Sequence, residues 1–357
     1  MMEDEVVRRR KWLTEERFLD LLGTTNLIPG PNSTELAIHI GWERRRWTGL
    51  VVAGVAFILP AMLITGALGW VYVRFGTVPA ASFLLYGVKP VILGVIVQAI
   101  WGLAPRAART TWLRGLGVLA AVLAAVGVNE LVVLFGAGAV AALASHVTRP
   151  SGRGPSTGLH QIVPLFPMMG VAAAASAVTL SGLFWTFLKI GSVLFGSGYV
   201  LLAFLRADLV DRLHWMSEAQ LIDAIAVGQV TPGPVFTTAT FIGYVLAGPS
   251  GALVATLGIF LPAFVFVAVS GPLVPRLRAS PLSGAFLDGV NVASLALMAV
   301  VTFQVGHAAL IDVPTVILAV VAALVLVRFK LNATWLVLAG AAAGWTVHVL
   351  RLADRGS

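Results

Sequence analysis

Hydrophobic residues in this chain do not alternate with polar ones; they come in long runs. Stretches at 49–73, 80–103, 112–128, 131–147, 162–180, 183–205, 251–270, 284–306, 313–327 and 333–350 are apolar over most of their length. A membrane helix needs about 20 such residues, so the pattern predicts an all-α polytopic membrane protein. Many runs are rich in Gly and Ala, which lets helices approach closely in lipid. "TRPSGRGPSTGLH", residues 148–160, is polar and rich in Gly, Pro and Ser, and reads as a linker. It separates an N-terminal unit, 1–147, from a C-terminal one, 161–357.

The two units repeat. With Pro29-Gly30-Pro31 laid on Pro232-Gly233-Pro234, Trp12-Leu13-Thr14-Glu15 falls on Trp215-Met216-Ser217-Glu218, and Asp20 falls on Asp223. After a one-residue gap, Gly41 meets Gly243, "ILPA" (58–61) meets "FLPA" (260–263), and Gly87-Val88 meets Gly289-Val290. Apolar similarity alone would not hold Trp, Glu, Asp, Gly and Pro in register. An apolar run, 183–202, precedes the Trp-x-Ser-Glu element in the second unit. Only residues 1–11 precede its counterpart, so the first unit is expected to lack its first helix.

Each Pro-Gly-Pro lies between segments too short to span lipid: 19–27 and 33–40 in the first unit, 221–230 and 235–244 in the second. Proline removes an amide donor and turns the preceding residue away from helix. Glycine admits unusual backbone angles. Each motif is therefore expected to end one half-helix and begin another. Broken backbone at membrane depth is tolerated only inside protein or beside a water-filled cavity. A half-helix starting there aims free N–H groups and a positive dipole end into that cavity. Hydroxyls and an amide line its first turn: Asn32, Ser33 and Thr34, then Thr237 and Thr238. Asn26, Gln229 and Thr231 flank the breaks. With Pro29, Gly30, Pro31, Pro232, Gly233 and Pro234 they make a candidate pocket for a hydrated oxyanion. The alternative is that the motifs only kink helices and the hydroxyls bond back to carbonyls.

Charge adds orientation. Charged residues are 11% of the 357, the formal charge is +8 and mean hydropathy is +0.93. Soluble domains carry about 25% charged residues. The basic residues cluster in short loops, where they set topology rather than bind nucleic acid. Basic runs at 8–11 and 43–47 flank the first break on both sides, which favours a re-entrant pair over a crossing. In the second unit the basic loop, with Arg276 and Arg278, comes one span later. That reversal is what inverted repeats show. Six spans between the two breaks would instead give parallel repeats, a parity the sequence leaves unresolved. The N-terminus has no apolar segment of the kind a cleavable signal peptide needs.

Ionisable residues inside spans are costly and mark function by default. Lys89 precedes Pro90 in mid-span, and Lys189 lies in the Gly-rich run 183–205. Both are candidates to offset an anion, though Lys189 sits near enough to an end to snorkel. Glu35, with His39 one turn later, is a candidate for proton coupling; Glu35 could equally pair with Lys89 or Arg44. Asp288 and Asn291 occupy the span equivalent to that of Lys89. His146, His160, His307 and His348 have no ligand spacing, so no metal is expected. There is no cysteine, P-loop, G-x-S-x-G or H-E-x-x-H. No cofactor and no enzyme activity are expected.

The stretches "RRKWLTEERFLDLLGTTNLIPGPNSTELAIHIGW" (9–42), "FLKIGSVLFGSGY" (187–199), "WMSEAQLIDAIAVGQVTPGPVFTTATFIGY" (215–244) and "GALVATLGIFLPAF" (251–264) carry a resemblance. The chain resembles the chromate ion transporter family, whose long members have two homologous halves. That resemblance implies export of chromate across the plasma membrane, driven by the proton gradient as in an antiporter, with sulfate as competitor. Family members carry, ahead of the first Pro-Gly-Pro, a helix with a Phe-Gly-Gly-type motif like Phe195-Gly196-Ser197-Gly198, to which nothing in residues 1–28 corresponds. A passive anion channel or a carrier of sulfate or another oxyanion is the alternative. A membrane chromate reductase would need a redox centre that the residues do not offer. The expected partners are chromate, protons and the lipid bilayer, with a homodimer one option for assembly.

Overall fold

The computed structural model describes residues 2–25, 27–76, 79–147, 177–195, 198–329 and 333–355, and every regular element among them is helical. A wide π turn (Asp4–Arg9) leads to α1 (Glu15–Thr25), α2 (Asn32–Phe75), α3 (Pro79–Ala107), α4 (Thr111–Ala125), α5 (Glu130–Val147) and α6 (Leu180–Val193). A 3-10 turn (Gly198–Val200), α7 (Leu201–Leu205) and a second π turn (Arg206–Arg212) precede α8 (Glu218–Val230). A further 3-10 turn (Val235–Thr237) opens onto α9 (Thr238–Ala279), α10 (Pro281–Ala309), α11 (Val313–Phe329) and α12 (Ala333–Arg355).

Among the described residues, five helical stretches are long and apolar enough to cross a membrane: Asn32–Phe75, Tyr86–Ala107, Glu130–Val147, Val235–Ser270 and Pro281–His307. Val51, Val55, Leu59 and Leu63 on α2, and Leu253, Leu257, Leu261 and Val265 on α9, are exposed in stripes of four-residue period. Water would not tolerate such faces, and lipid does. The span expected at 162–180 lies almost wholly outside the described residues.

α2 and α9 are each two helices joined by a sharp turn. Arg45 (φ −146°, ψ 26°) and Arg46 (φ 47°, ψ −125°) make the turn in α2. Ala247 (φ −147°, ψ 25°) and Gly248 (φ 64°, ψ −155°) make it in α9. Around each turn the chain doubles back so tightly that Gly41 packs on the backbone of Gly49, and Gly243 on that of Gly251. The first limb of α2 is about 20 Å long, short of the ~30 Å hydrocarbon core. α1 lies antiparallel to it: Arg17, near the start of α1, pairs with Glu43 at 2.7 Å. The second limb of α2 runs in the same direction as the first limb of α9, with Gly66 beside Thr240 and Gly69 beside Tyr244, and so opposite to the second limb of α9, whose Phe264 meets Gly54.

The Trp-x-Thr/Ser-Glu elements are helix N-caps. Thr14 Oγ1 accepts from Arg17 N at 3.2 Å. Ser217 and Gln220 form a reciprocal capping box, with bonds of 3.2 and 2.9 Å. The residues just upstream correspond as well. Trp12 N donates to Val6 O and Trp215 N to Leu209 O, both at 2.8 Å. Arg10 N donates to Glu5 O and Leu213 N to Asp208 O, both at 2.9 Å, while Lys11 and His214 share a φ of 51°. Residues 4–11 thus have counterparts at 207–214, which the sequence comparison did not extend to.

The continuous span expected at 183–205 is not one. α6 ends at Val193, its cap Leu194 is in extended backbone (ψ 103°), and the next helical turn begins at Gly198. Lys189 Nζ reaches Asp208 at 2.5 Å, whereas a continuous helix would hold them roughly 28 Å apart. This segment turns back on itself, and its glycines, without proline, gave too weak a signal to show it.

Candidate functional site

The first break is set by backbone. Gly30 has φ +141°, a region that a side chain strains to adopt, and Gly233 repeats it at +132°. Pro31 is extended and caps α2 without a side-chain bond; its carbonyl accepts from Thr34 N at 2.8 Å and Glu35 N at 3.0 Å. Asn32 and Ser33 make up the first turn of the helix that follows this cap.

Above that turn lies a set of buried polar atoms. Thr34 and Glu35 are fully buried and His39 is 5% exposed. Thr34 Oγ1, both Glu35 carboxyl oxygens and His39 Nε2 have no hydrogen-bond partner. Glu35 packs directly over Gly30. Neither Lys89 nor Arg44 pairs with it. A buried polar atom without a partner is rare and calls for an explanation, such as a ligand, ion or water.

The second break is arranged differently. Thr237 Oγ1 donates to Pro234 O at 2.9 Å, Thr238 Oγ1 to Val235 O at 2.7 Å and Thr231 Oγ1 to Val227 O at 2.7 Å. The hydroxyl hydrogens of the second unit are thus engaged by their own backbone. Pro29, Gly30 and Pro31 are buried, whereas Pro232 and Gly233 are exposed. The first break is covered by Leu194, the residue that caps α6. Gly30 N donates to Leu194 O at 2.8 Å, and Gly198 faces Val235 across an ordinary contact. Gly233 instead faces Ala61 on α2. Leu194 thus touches the first break, and Gly198 touches Val235, the residue that follows the second. Asn26 lies outside the described residues, as do Gly196 and Ser197.

Both candidate lysines have carboxylate partners. Lys89 Nζ is 3.1 Å from Asp223 Oδ1, and Tyr72 donates to Asp223 Oδ2 at 2.9 Å. Lys189 shares Asp208 with Arg212, whose Nη2 is 2.8 Å from Oδ1. Lys189 and Arg212 also line a cavity of about 510 Å³ with Thr179, Trp185, Thr186 and Trp215. Asp288 pairs with Arg109. Tyr72, Asp208, Arg212 and Asp223 were missed as site residues. Asp223 was visible in the sequence only as a marker of the repeat, because its partners are far away along the chain. Among the described residues no cluster of three His, Asp or Glu side chains could hold a metal.

Broken helices that bring polar backbone and unpartnered side chains into an apolar bundle define a polytopic membrane protein with a polar interior. The comparison with known proteins makes the class specific. The chain belongs to the chromate transporter family, whose model matches residues 1–143 and 181–345. It is 33% identical over 351 residues to a chromate transport protein of Cupriavidus metallidurans, covering 96% of this chain and 85% of that one. It is 32% identical over 376 residues to a chromate transport protein of Pseudomonas aeruginosa, covering 97% and 86%. A probable chromate transport protein of Synechococcus elongatus is 29% identical over 327 residues, covering 90% and 82%. No solved structure matches the chain.

Proposed function

We propose that the protein is a secondary active transporter that exports chromate, a divalent tetrahedral oxyanion, from the cytoplasm across the plasma membrane. Transport is coupled to protons and competed by sulfate, which has the same shape and charge. The observation that carries the reading is the set of unpartnered buried atoms of Thr34, Glu35 and His39 above the first break. An anion held by the α2 amides would sit within reach of them. A dianion and a carboxylate cannot share such a pocket, so anion binding there requires a proton on Glu35. Thr237 and Thr238 meet the anion by exchanging their carbonyl bonds for it, which keeps binding weak enough for release.

The two units act as inverted repeats with re-entrant helix pairs. The matched kinks of α2 and α9, their opposed directions and the short first limbs support this. So does the fold-back at 183–205, since removing one of six expected crossings leaves the odd number that inversion requires. Lys89 and Lys189 take part when the anion draws them from Asp223 and Asp208.

The test is uptake of labelled chromate into inside-out vesicles carrying this chain, with and without a proton gradient and with excess sulfate. Gradient-dependent uptake that sulfate suppresses supports the reading. Uptake that follows only the membrane potential and ignores the proton gradient replaces it with an anion channel. No uptake removes chromate from the claim.

A further inference from the structure

A buried charged cluster away from the breaks ties the two units together. Asp223 comes from α8, Tyr72 from α2 and Lys89 from α3, with the contacts of 2.9 and 3.1 Å given above. The Asp223 side chain is 5% exposed and that of Lys89 21%, so the lysine is the member open to a solute. α9 contributes only the Phe241 ring, edge-on to Tyr72 at 5.2 Å. The other helices packed against α8 present no further titratable group to Asp223 among the described residues. Among the described residues the cluster has no repeat-related copy. Asp20, the counterpart of Asp223, is 40% exposed and bonds Arg17, and Asn291 stands where the repeat would place a second Lys89. Buried ion pairs of this kind add little net stability compared with apolar packing, so holding helices together is a weak reason for one.

We propose that Asp223 is a proton-coupling carboxylate of the transport cycle and that it acts through Lys89. The inference rests on the transport reading above. With Asp223 charged, Lys89 is neutralised by its partner and offers nothing to a dianion. A proton added to a carboxylate oxygen of Asp223 breaks the ion pair and leaves the Lys89 ammonium, its charge intact, for the oxyanion. Linkage makes the effect reciprocal: an anion drawn to Lys89 strengthens the hold of Asp223 on its proton. Proton and oxyanion binding reinforce each other, so the two are carried together, and export of the dianion with one proton moves net negative charge outward and is driven by the membrane potential against the pH gradient. The exchange expected of an antiporter needs the opposite sign.

The experiment is equilibrium binding of labelled chromate to the purified full chain and to D223N, K89Q and K89Q/D223N. At pH 8, where chromate is a dianion, D223N frees the lysine and should bind about tenfold or more tightly than wild type, matching at least one pH unit of linkage. K89Q should bind more weakly. Each linked proton changes affinity by at most about tenfold per pH unit. The slope of log affinity against pH between 7.5 and 9 should therefore fall by up to one in D223N, while Glu35 is untouched. The double variant should fold and bind weakly, with the same reduced slope. D223N that binds no tighter than wild type at pH 8, or that keeps the wild-type slope, overturns this inference alone. Loss of binding in both single variants with recovery in the double variant makes the pair structural and also overturns it. Absence of chromate binding by the wild type overturns it together with the transport reading.

Discussion

Replacing Gly233 by Ala tests the geometry of the breaks through two separable costs. A side chain at φ +132° costs about 1–3 kcal/mol of backbone strain. The new methyl would also stand 2.5 Å from the methyl of Ala61, which is fixed to a helix and cannot swing away. Overpacking of that kind costs about 1–3 kcal/mol, so Gly233→Ala should destabilise by about 2–6 kcal/mol. Gly30→Ala carries the same strain at φ +141°, but its new neighbour is the tip of the Glu35 side chain, which can turn aside. It should cost less, by the overpacking share. Ala61→Gly alone should cost about 1 kcal/mol in helix propensity. Combined with Gly233→Ala, it should recover the overpacking share and leave the strain. The assay is reversible unfolding in mixed micelles of rising SDS fraction, read as a double-mutant cycle. A coupling between positions 61 and 233 within about 0.5 kcal/mol of zero would refute the close approach of α2 to the second break.

Further outcomes follow from the same geometry. Asp208→Asn should lower stability more than Lys189→Gln, because it strands two cations whereas Arg212 still covers Asp208 when Lys189 is lost; thermal unfolding in detergent ranks them, and the reverse order refutes the shared-carboxylate arrangement. Glu35→Gln keeps the shape and removes the proton, so chromate uptake should lose part of its pH dependence; a wild-type profile excludes Glu35 from the proton path. Thr237→Val and Thr238→Val should each cost about 1 kcal/mol for the lost carbonyl bond and weaken chromate binding severalfold with membrane insertion intact. Unchanged affinity would leave the backbone amides as the donors.

The features that were legible in the sequence are those whose cause is local. Pro-Gly-Pro disrupts a helix wherever it stands, so both breaks and the short segments beside them could be read directly. The repeat was visible because Trp, Gly and Pro keep their register. The break in 183–205 lacks proline and was mistaken for a crossing. The turns in α2 and α9 fall between the half-helices and the apolar runs that the sequence separated, at 41–48 and 245–250; their shared dihedrals could not be read, because Arg45-Arg46 and Ala247-Gly248 have no residue type in common. Lys89 was found but its partner was not, since 134 positions separate it from Asp223 and only the meeting of α3 with α8 joins them. At Thr237 and Thr238 the sequence left two readings, and the structure shows the carbonyl-bonded one.

The bond from Gly30 N to Leu194 O also bears on how the protein is made. The α1–α2 hairpin closes through near neighbours such as Arg17 and Glu43, and the limbs of α2 through Gly41 and Gly49, so it can form as soon as it leaves the ribosome. The acceptor for Gly30 is synthesised roughly 160 residues later, a wait of about 8–33 s at bacterial elongation rates of ~5–20 residues per second. Through that interval the first hairpin carries an unsatisfied amide and a buried-type carboxyl. Lipid would penalise both, so the hairpin must stay in contact with water or the insertion machinery until the second unit arrives. A hairpin translated well before its partner is therefore among the last elements to settle into the bilayer.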